Sequence, residues 1–294
     1  MIKIEDFEEV LRENDFEEDL IKYILSKSMT GLLRDGNKKE INEILKVLKK
    51  NGIRDDLIPE CFSVLRNGKA EKIDEIFKIL RSNGIKDESI ENCMLILTVK
   101  DVNKIKEIFK VFKKYNISNE AIENCLSVFC YKSAKEIEET MKVLLKHNIS
   151  KQSIENCLSV FTNASPAKTE EIIKTLEENN INTDLIEKCL KVIGKGKSDK
   201  IVEIIKVLKL HQINENAIEK CLSLLISGNA EEIDKTLTLL ENLNIKKESI
   251  EKCLSVFSTG KSEEIKKILY ILQKHKISKE AIERCLSVLS KTNS

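Results

Sequence analysis

Nine cysteines and three histidines are the residues of this chain best suited to metal or nucleophilic chemistry, and their spacing argues against both. Eight cysteines, Cys61, Cys93, Cys125, Cys157, Cys189, Cys221, Cys253 and Cys285, form a ladder of constant spacing with a period of 32. Thiolate metal sites use close pairs such as C-x-x-C, whereas this ladder offers one ligand at a time. Packed helices lie about 8–10 Å apart, beyond the separation of about 7 Å that a disulfide tolerates between Cα atoms. The ladder therefore reads as small apolar residues on buried helix faces. Unpaired thiols in such number point to a reducing, intracellular compartment, cytoplasmic or, for a protein delivered to a host cell, nuclear. Cys130 lies off the ladder in an inter-helix loop and is the thiol expected to be accessible. His147, His211 and His275 recur in every second unit at one repeat position, held elsewhere by Asn51, Asn83, Tyr115 or Asn179. Two layers separate each from the next, so they share no metal or proton and read as turn residues.

Two glycine-lysine stretches suggest phosphate chemistry. Gly194-Lys195-Gly196-Lys197-Ser198 and Gly260-Lys261-Ser262 resemble part of a phosphate-binding loop, but Lys191 and Ser255 stand where its first glycine belongs, and no strand precedes either. Ser198 and Ser262 are then read as helix N-caps. No Ser-His-Asp, Cys-His, HExxH or clustered-carboxylate pattern occurs, so the chain reads as non-enzymatic, without cofactor or metal.

The elements that position these residues are set by the period. The cysteines recur without a single insertion, and an isoleucine ladder keeps step from Ile53 and Ile85 to Ile277, the signature of stacked repeats. Within a unit, Ile250, Cys253, Leu254 and Phe257 are spaced i, i+3, i+4, i+7, as are Ile265, Ile268, Leu269 and Leu272. Each run is one apolar stripe on an α-helix. A polar loop joins the two helices, often through a glycine (Gly36, Gly68, Gly196, Gly228, Gly260) that reads as a left-handed C-cap. Two helices cannot bury both stripes alone, so neighbouring units must stack. The predicted fold is all-α: an α-solenoid of two-helix 32-residue repeats forming a superhelix. Residues 1–20 form an acidic helical cap, 21–277 eight units of which the first is diverged, and 278–294 a half unit.

Charge qualifies this picture. The chain has 50 bases and 49 acids, yet positions 1–20 hold nine acids against two bases, which leaves the rest of the chain at +8. No run of eighteen apolar residues suggests a membrane span. Lys46, Lys78, Lys110, Lys142, Lys174 and Lys206 form a stripe that could follow phosphates, but Glu43, Glu75, Glu107, Glu139, Glu171 and Glu203 lie three residues before them, so a self-neutralised face is favoured. A second glutamate ladder, Glu91, Glu123, Glu155, Glu187, Glu219, Glu251 and Glu283, lies on the first helices beside buried isoleucines.

The positions that do not repeat are in the inter-helix loop: Arg34-Asp35, Arg66-Asn67, Thr98-Val99, Cys130-Tyr131, Thr162-Asn163, Gly194-Lys195, Ile226-Ser227 and Ser258-Thr259. Loops drift because they bear little packing, or because they read a ligand that is itself a regular array. The stretch Arg66-Asn67-Gly68-Lys69-Ala70-Glu71-Lys72-Ile73 resembles the unit of transcription-activator-like effectors, in which a variable pair, glycine and lysine join two helices. The units also look like those of mitochondrial transcription termination factors. The first resemblance implies that Asp35, Asn67, Val99, Tyr131, Asn163, Lys195, Ser227 and Thr259 face bases, and that Lys69, Lys197 and Lys261 face phosphate. The length of the unit, a second helix without proline and an unusual first pair member depart from that pattern. Two functions follow as expectations: a nucleic-acid-binding repeat protein, duplex DNA favoured, or a protein-binding scaffold of the armadillo or HEAT kind. A designed consensus array also fits the period.

Overall fold

The structure is a computed structural model describing residues 3–28, 37–178, 181–193, 198–220, 222–254, 257 and 262–289. Among the described residues every regular element is helical, α or 3-10, and no strand occurs. Helices of 13 residues begin at Lys38, Ala70, Val102, Ala134, Pro166, Ser198, Ala230 and Ser262, keeping the period of the sequence. The seven from Lys38 to Ala230 each bury one stripe, as Ile73, Ile76, Phe77 and Leu80 do in Ala70–Ser82. Full burial of such a side chain contributes about 1.5–3 kcal/mol.

Two compact units divide the chain, Met1–Glu138 and Glu139–Ser294. In the first, Lys38–Lys50 packs on Ala70–Ser82, which packs on Val102–Lys114. In the second, Pro166–Glu178, Ser198–Leu210, Ala230–Asn242 and Ser262–Lys274 pack in sequence. Of the N-terminal pair, Ile4–Glu13 packs on the Lys38–Lys50 helix and Glu18–Ser28 on the 3-10 helix Asp55–Cys61, with Phe7, Val10 and Leu11 fully buried.

Among the described residues, seven of the long helices end in the same turn. Gly52 donates its N–H to Lys49 O at 2.9 Å and Ile53 to Leu48 O at 3.1 Å, the paired bonds of a Schellman motif. The left-handed residue is Gly52 (φ +83°), Gly84 (+80°), Asn116 (+52°), Asn148 (+56°), Gln212 (+52°), Asn244 (+53°) or Lys276 (+54°). The isoleucine ladder follows at once, so it is the hydrophobic residue that closes this motif against the helix's last turn. The left-handed cap expected at the other glycine column is therefore corrected: Gly68 has φ −73° and ψ 167°, ordinary extended backbone. What a side chain would meet there is crowding, since a Cβ on Gly68 would lie 2.5 Å from Val64 O and 2.9 Å from Ile73 Cδ1. Gly228 is confined alike by Leu224 and Ile233, while Gly36, Gly196 and Gly260 lie outside the described residues.

The first helix of a unit is frequently broken, which its apolar spacing does not reveal. Lys151–Asn156 and Ser159–Asn163 are separated at Cys157 (φ −133°, ψ 31°), and Asp87–Glu91 gives way at Cys93 (φ −138°, ψ 57°) to the 3-10 turn Met94–Thr98. The ladder cysteine is the pivot: Cys157 N–H bonds Ile154 O at 3.1 Å and Cys157 O accepts from Val160 N–H at 2.9 Å, both i to i+3. Residues three apart share a face in either helix type. Thr183–Ile193 and Lys279–Leu289 run unbroken.

Candidate nucleic-acid interface

The variable loops begin where the short helices end. Asn67, Tyr131, Asn163 and Ser227 are the last residues of Phe62–Asn67, Val128–Tyr131, Ser159–Asn163 and Leu222–Ser227, and all four are exposed, Tyr131 to 60%. Asn163 Nδ2 donates to Ser159 O at 3.3 Å. Val99 differs: it follows the 3-10 turn, is 9% exposed, and presents little surface to a base. Asp35, Lys195 and Thr259 lie outside the described residues, as do Lys197 and Lys261.

Lys69 stands at a position that elsewhere caps the long helix. Asn37 accepts from Lys39 N–H at 3.0 Å, Asp101 from Asn103 N–H at 3.0 Å, and Asn229 from Glu232 N–H at 3.1 Å. Ser133 and Glu136 form a reciprocal capping box, and Ser165 accepts from Lys168 N–H. Ser198 and Ser262, expected as caps, are instead the first helical residues, one place beyond this column. Lys69 has no acceptor to offer, and helix Ala70–Ser82 starts without a side-chain cap, which leaves the positive end of its dipole without an acidic or polar side-chain acceptor at the N-cap. The sequence puts lysine in the same column at 197 and 261. Reading the column down the repeats, rather than along one unit, would have found this exchange.

The start of that helix opens into a cavity of about 280 Å³ lined by Asn67, Lys69, Lys72, Thr98, Val99 and Lys100 among others. Two loops of successive units thus meet at one concavity that holds three lysines. Their ammonium groups are not equally available. Lys69 pairs with Glu40, and Lys72 donates to Lys100 O at 2.5 Å, closing a carbonyl at the end of the next short helix. Lys104, one repeat on, does the same to Cys130 O at 3.0 Å.

The glutamate ladder has a structural task that its sequence position concealed. Glu123 accepts from Lys86 N–H at 2.8 Å, Glu187 from Ser150 N–H at 2.5 Å, Glu251 from Asn214 N–H at 2.7 Å, and Glu283 from Lys246 N–H at 2.9 Å. Each bond links positions 37 apart, one period plus five, so a carboxylate in one unit satisfies the start of the short helix in the unit before. Glu187 also accepts from Ser153 Oγ at 2.5 Å. Burial opposes its charge, yet the bonds from Ser153 and Ser150 outweigh that and hold its pKa below the usual value.

Two lysines of the long-helix stripe, Lys78 and Lys174, are neutralised, and not by the expected glutamates. Lys78 pairs with Asp74 at 2.7 Å and Lys174 with Glu170 at 3.1 Å, both four residues back rather than three. The same acids also bridge units: Asp74 holds Lys50 at 3.2 Å and Glu170 holds Lys146 at 2.7 Å. Hydrogen bonds from Lys78, Asn51 and Lys50 bring Asp74 to about 2, and those from Lys146 and Lys174 bring Glu170 to about 2. Glu75 turns instead to Lys106, at 2.9 Å.

His211 occupies a turn, as expected, but is not idle. Nε2 lies 2.8 Å from Asp234 and Nδ1 2.9 Å from Glu241, both on the next long helix, and the ring is 8% exposed. Burial disfavours its charge; the two carboxylates prevail and raise its pKa above 6.5. His147 meets Glu177 at 2.8 Å, while its Nε2 is buried without a partner because Glu170, at the position of Asp234, is held by two lysines.

Among the thiols, Cys61, Cys157, Cys189 and Cys253 are buried, and Cys93 and Cys125 half-buried. The accessibility expected of Cys130 is corrected: it lies within the helical turn Val128–Tyr131, half-buried, and desolvation pushes its thiol up to about 12. Tyr131 takes the exposed place beside it. Cys221, and the side chain of Cys285, fall outside the described residues. Among the described residues no group of three metal-ligating side chains converges, and no helix is long and apolar enough to cross a membrane. Comparison with protein-family models, curated protein sequences and solved structures gave no significant match.

Proposed function

We propose that the chain is an α-solenoid of two-helix repeats that binds nucleic acid, duplex DNA in preference, through its inter-helix loops. The observation that carries this reading is the Lys69 site. There a capping residue is exchanged for lysine, the helix start is left without a side-chain cap, and Lys72 and Lys100 line the same cavity as the variable residues Asn67 and Val99. Helix amides and clustered ammonium groups suit a phosphate, and an exposed Asn67 beside them suits a base edge. In this reading Asn67, Tyr131, Asn163 and Ser227 meet bases, with Asp35, Lys195 and Thr259 in the same column. Lys69, Lys197 and Lys261 meet the backbone, and Val99 contributes a wall. The protein acts by binding, not catalysis.

A filter-binding titration against duplex DNA across a salt series tests it. Replacing Lys69, Lys72 and Lys100 by Gln should lower affinity and reduce the slope of log K on log salt by up to about 3, since each phosphate contact contributes about 0.9. Replacing Asn67 and Asn163 by Ala should leave the slope in place and alter preference among sequences. No binding tighter than the micromolar non-specific range would reject the reading.

A second reading, a protein-binding scaffold, is favoured by a different surface. Leu210 is 73% exposed and, with Val207 and Ala230, lines a shallow cleft between long helices whose rim is charged by Glu203, Lys206 and Glu231. An apolar floor with a mixed-charge rim suits a peptide better than a polyanion.

A further inference from the structure

Helix Val102–Lys114 departs from the charge columns of the other long helices at two places, and each departure removes an acid. Where Asp74 pairs with Lys78 and Glu170 with Lys174, four residues back, Lys110 has Lys106. Where Lys49 meets Asp55 at 3.2 Å, Arg81 meets Asp87 at 2.7 Å and Lys209 meets Glu215 at 2.5 Å, six residues on, Lys113 has Asn119. Lys110 and Lys113 are exposed, and the ammonium of neither has a partner among the described residues. Two acids lie close in sequence, but Asp101 caps the helix, accepting from Asn103 N–H at 3.0 Å, and Glu107 forms no ion pair. Residues 100–114 thus hold six lysines against two acids, whereas the equivalent residues 164–178 hold two bases against four acids, and 228–242 one against four.

Lys106, Lys110 and Lys113 follow one another at i, i+4 and i+7, so they share one face, about 5 Å apart along the axis. All three are exposed, and Lys106 shares its charge with Glu75 at 2.9 Å. The helix starts just after Lys100, which lines the cavity together with Asn67, Lys69 and Lys72. We propose that Lys110 and Lys113 continue the loop site along helix Val102–Lys114 as a track for the sugar-phosphate strand of a bound duplex. The track rests on the nucleic-acid reading and adds to it the path by which the strand leaves the loop. A strand with one charge per about 3.4 Å of rise brings a phosphate within reach of each lysine stem. An unpaired ammonium gives up only water to meet it, whereas Lys78 or Lys174 must first break an ion pair. Every apolar side chain of this helix is buried, so its exposed face lacks what a peptide interface core or a membrane-inserting helix would need, and a phosphate strand needs none.

Filter binding of the whole chain to duplex DNA across a salt series tests the track with substitutions outside the loop. Lys110→Gln with Lys113→Gln should reduce the slope of log K on log salt by up to about 1.8, two contacts at about 0.9 each, and Lys110→Arg with Lys113→Arg should keep it. Lys78→Gln with Lys174→Gln, which removes lysines already paired, should change it by under about 0.5. Asn119→Asp puts beside Lys113 the acid that Asp87 and Glu215 supply elsewhere, and should lower the slope by about 0.9 with every lysine in place. Circular dichroism should show all four folded, since each change is on an exposed side chain or keeps the charge. An unaltered slope in Lys110→Gln with Lys113→Gln, when Gln at Lys69, Lys72 and Lys100 still lowers it, would overturn the track and leave the loop reading intact. Equal losses from the paired and unpaired lysines would also overturn it, because the missing acids would then play no part. So would unchanged DNA binding with lost binding to phosphatidylserine vesicles, which would give the face to a membrane. A chain that binds no duplex more tightly than the micromolar range would remove the loop reading and the track together.

Discussion

His211 offers the sharpest test of how successive units are held together. Replacing it by Asn, the residue found at Asn51 and Asn83, keeps a hydrogen-bonding turn residue and removes a cation set between Asp234 at 2.8 Å and Glu241 at 2.9 Å. Both ring nitrogens donate only when the ring is protonated; the neutral ring keeps one donor and turns a lone pair toward the other carboxylate. A hydrogen bond to a charged group contributes about 1.5–3 kcal/mol when well buried. Here the carboxylates are 44% and 48% exposed, so solvent screening reduces the pair together to about 1 kcal/mol. Because the folded pKa is raised above 6.5, this stability is fully present below that value and is lost as pH rises through the folded pKa. Urea unfolding of the unaltered chain and His211→Asn should therefore differ by about 1 kcal/mol near pH 5 and by much less near pH 9. Asp234→Asn should flatten that dependence, and the His211 ring proton followed by NMR should titrate above 6.5. A stability difference that is constant across this range, or that grows with pH, would refute the argument.

Glu187→Ala should lower stability by about 0.5–1.5 kcal/mol, read by urea unfolding, because it removes the acceptor of Ser150 N–H and Ser153 Oγ at a site that water can reach; Glu178→Ala, on the exposed end of a long helix, should change little. Gly52→Asn should cost under about 1 kcal/mol, since Asn116 and Asn148 hold the same left-handed turn, whereas Gly68→Ala must move Val64 O and should cost about 1–3 kcal/mol; equal costs would contradict the separate roles assigned to the two glycine columns. Cys130 should react slowly with a thiol reagent at neutral pH under native conditions, and fast labelling followed by mass spectrometry would contradict a desolvated thiol there.

The long helices, the period and the buried ladders were readable because each is a one-dimensional pattern: an apolar stripe at helical spacing repeats whether or not its neighbours are known. The break at Cys157 was not, since residues three apart share a face in α and 3-10 helices alike. Gly68 and Gly52 carry the same letter for opposite reasons, one lacking room and the other needing positive φ, and only backbone angles separate them. The candidate site was legible in part. Variable residues such as Asn67 and Tyr131 lie exposed at helix ends, but Val99 turned inward, because an apolar residue after a 3-10 turn finds the neighbouring unit closer than solvent. Partners between units, such as Glu187 with Ser150, follow a spacing of one period plus a remainder, which no window within a single unit contains.

That spacing also governs how such a chain can change its number of units. Donor and acceptor of each glutamate bond belong to different copies of the repeat, so excising or duplicating any whole repeat rejoins an amide such as that of Asn214 with an equivalent carboxylate. Exchange of whole repeats should therefore preserve this bond, whether the repeat carries the loop of Asn67 or that of Tyr131. The exception is a break inside a unit, which separates a short helix from the long helix beside it and leaves neither with a complement. A change of length by a whole repeat should consequently cost less stability than a change by part of one.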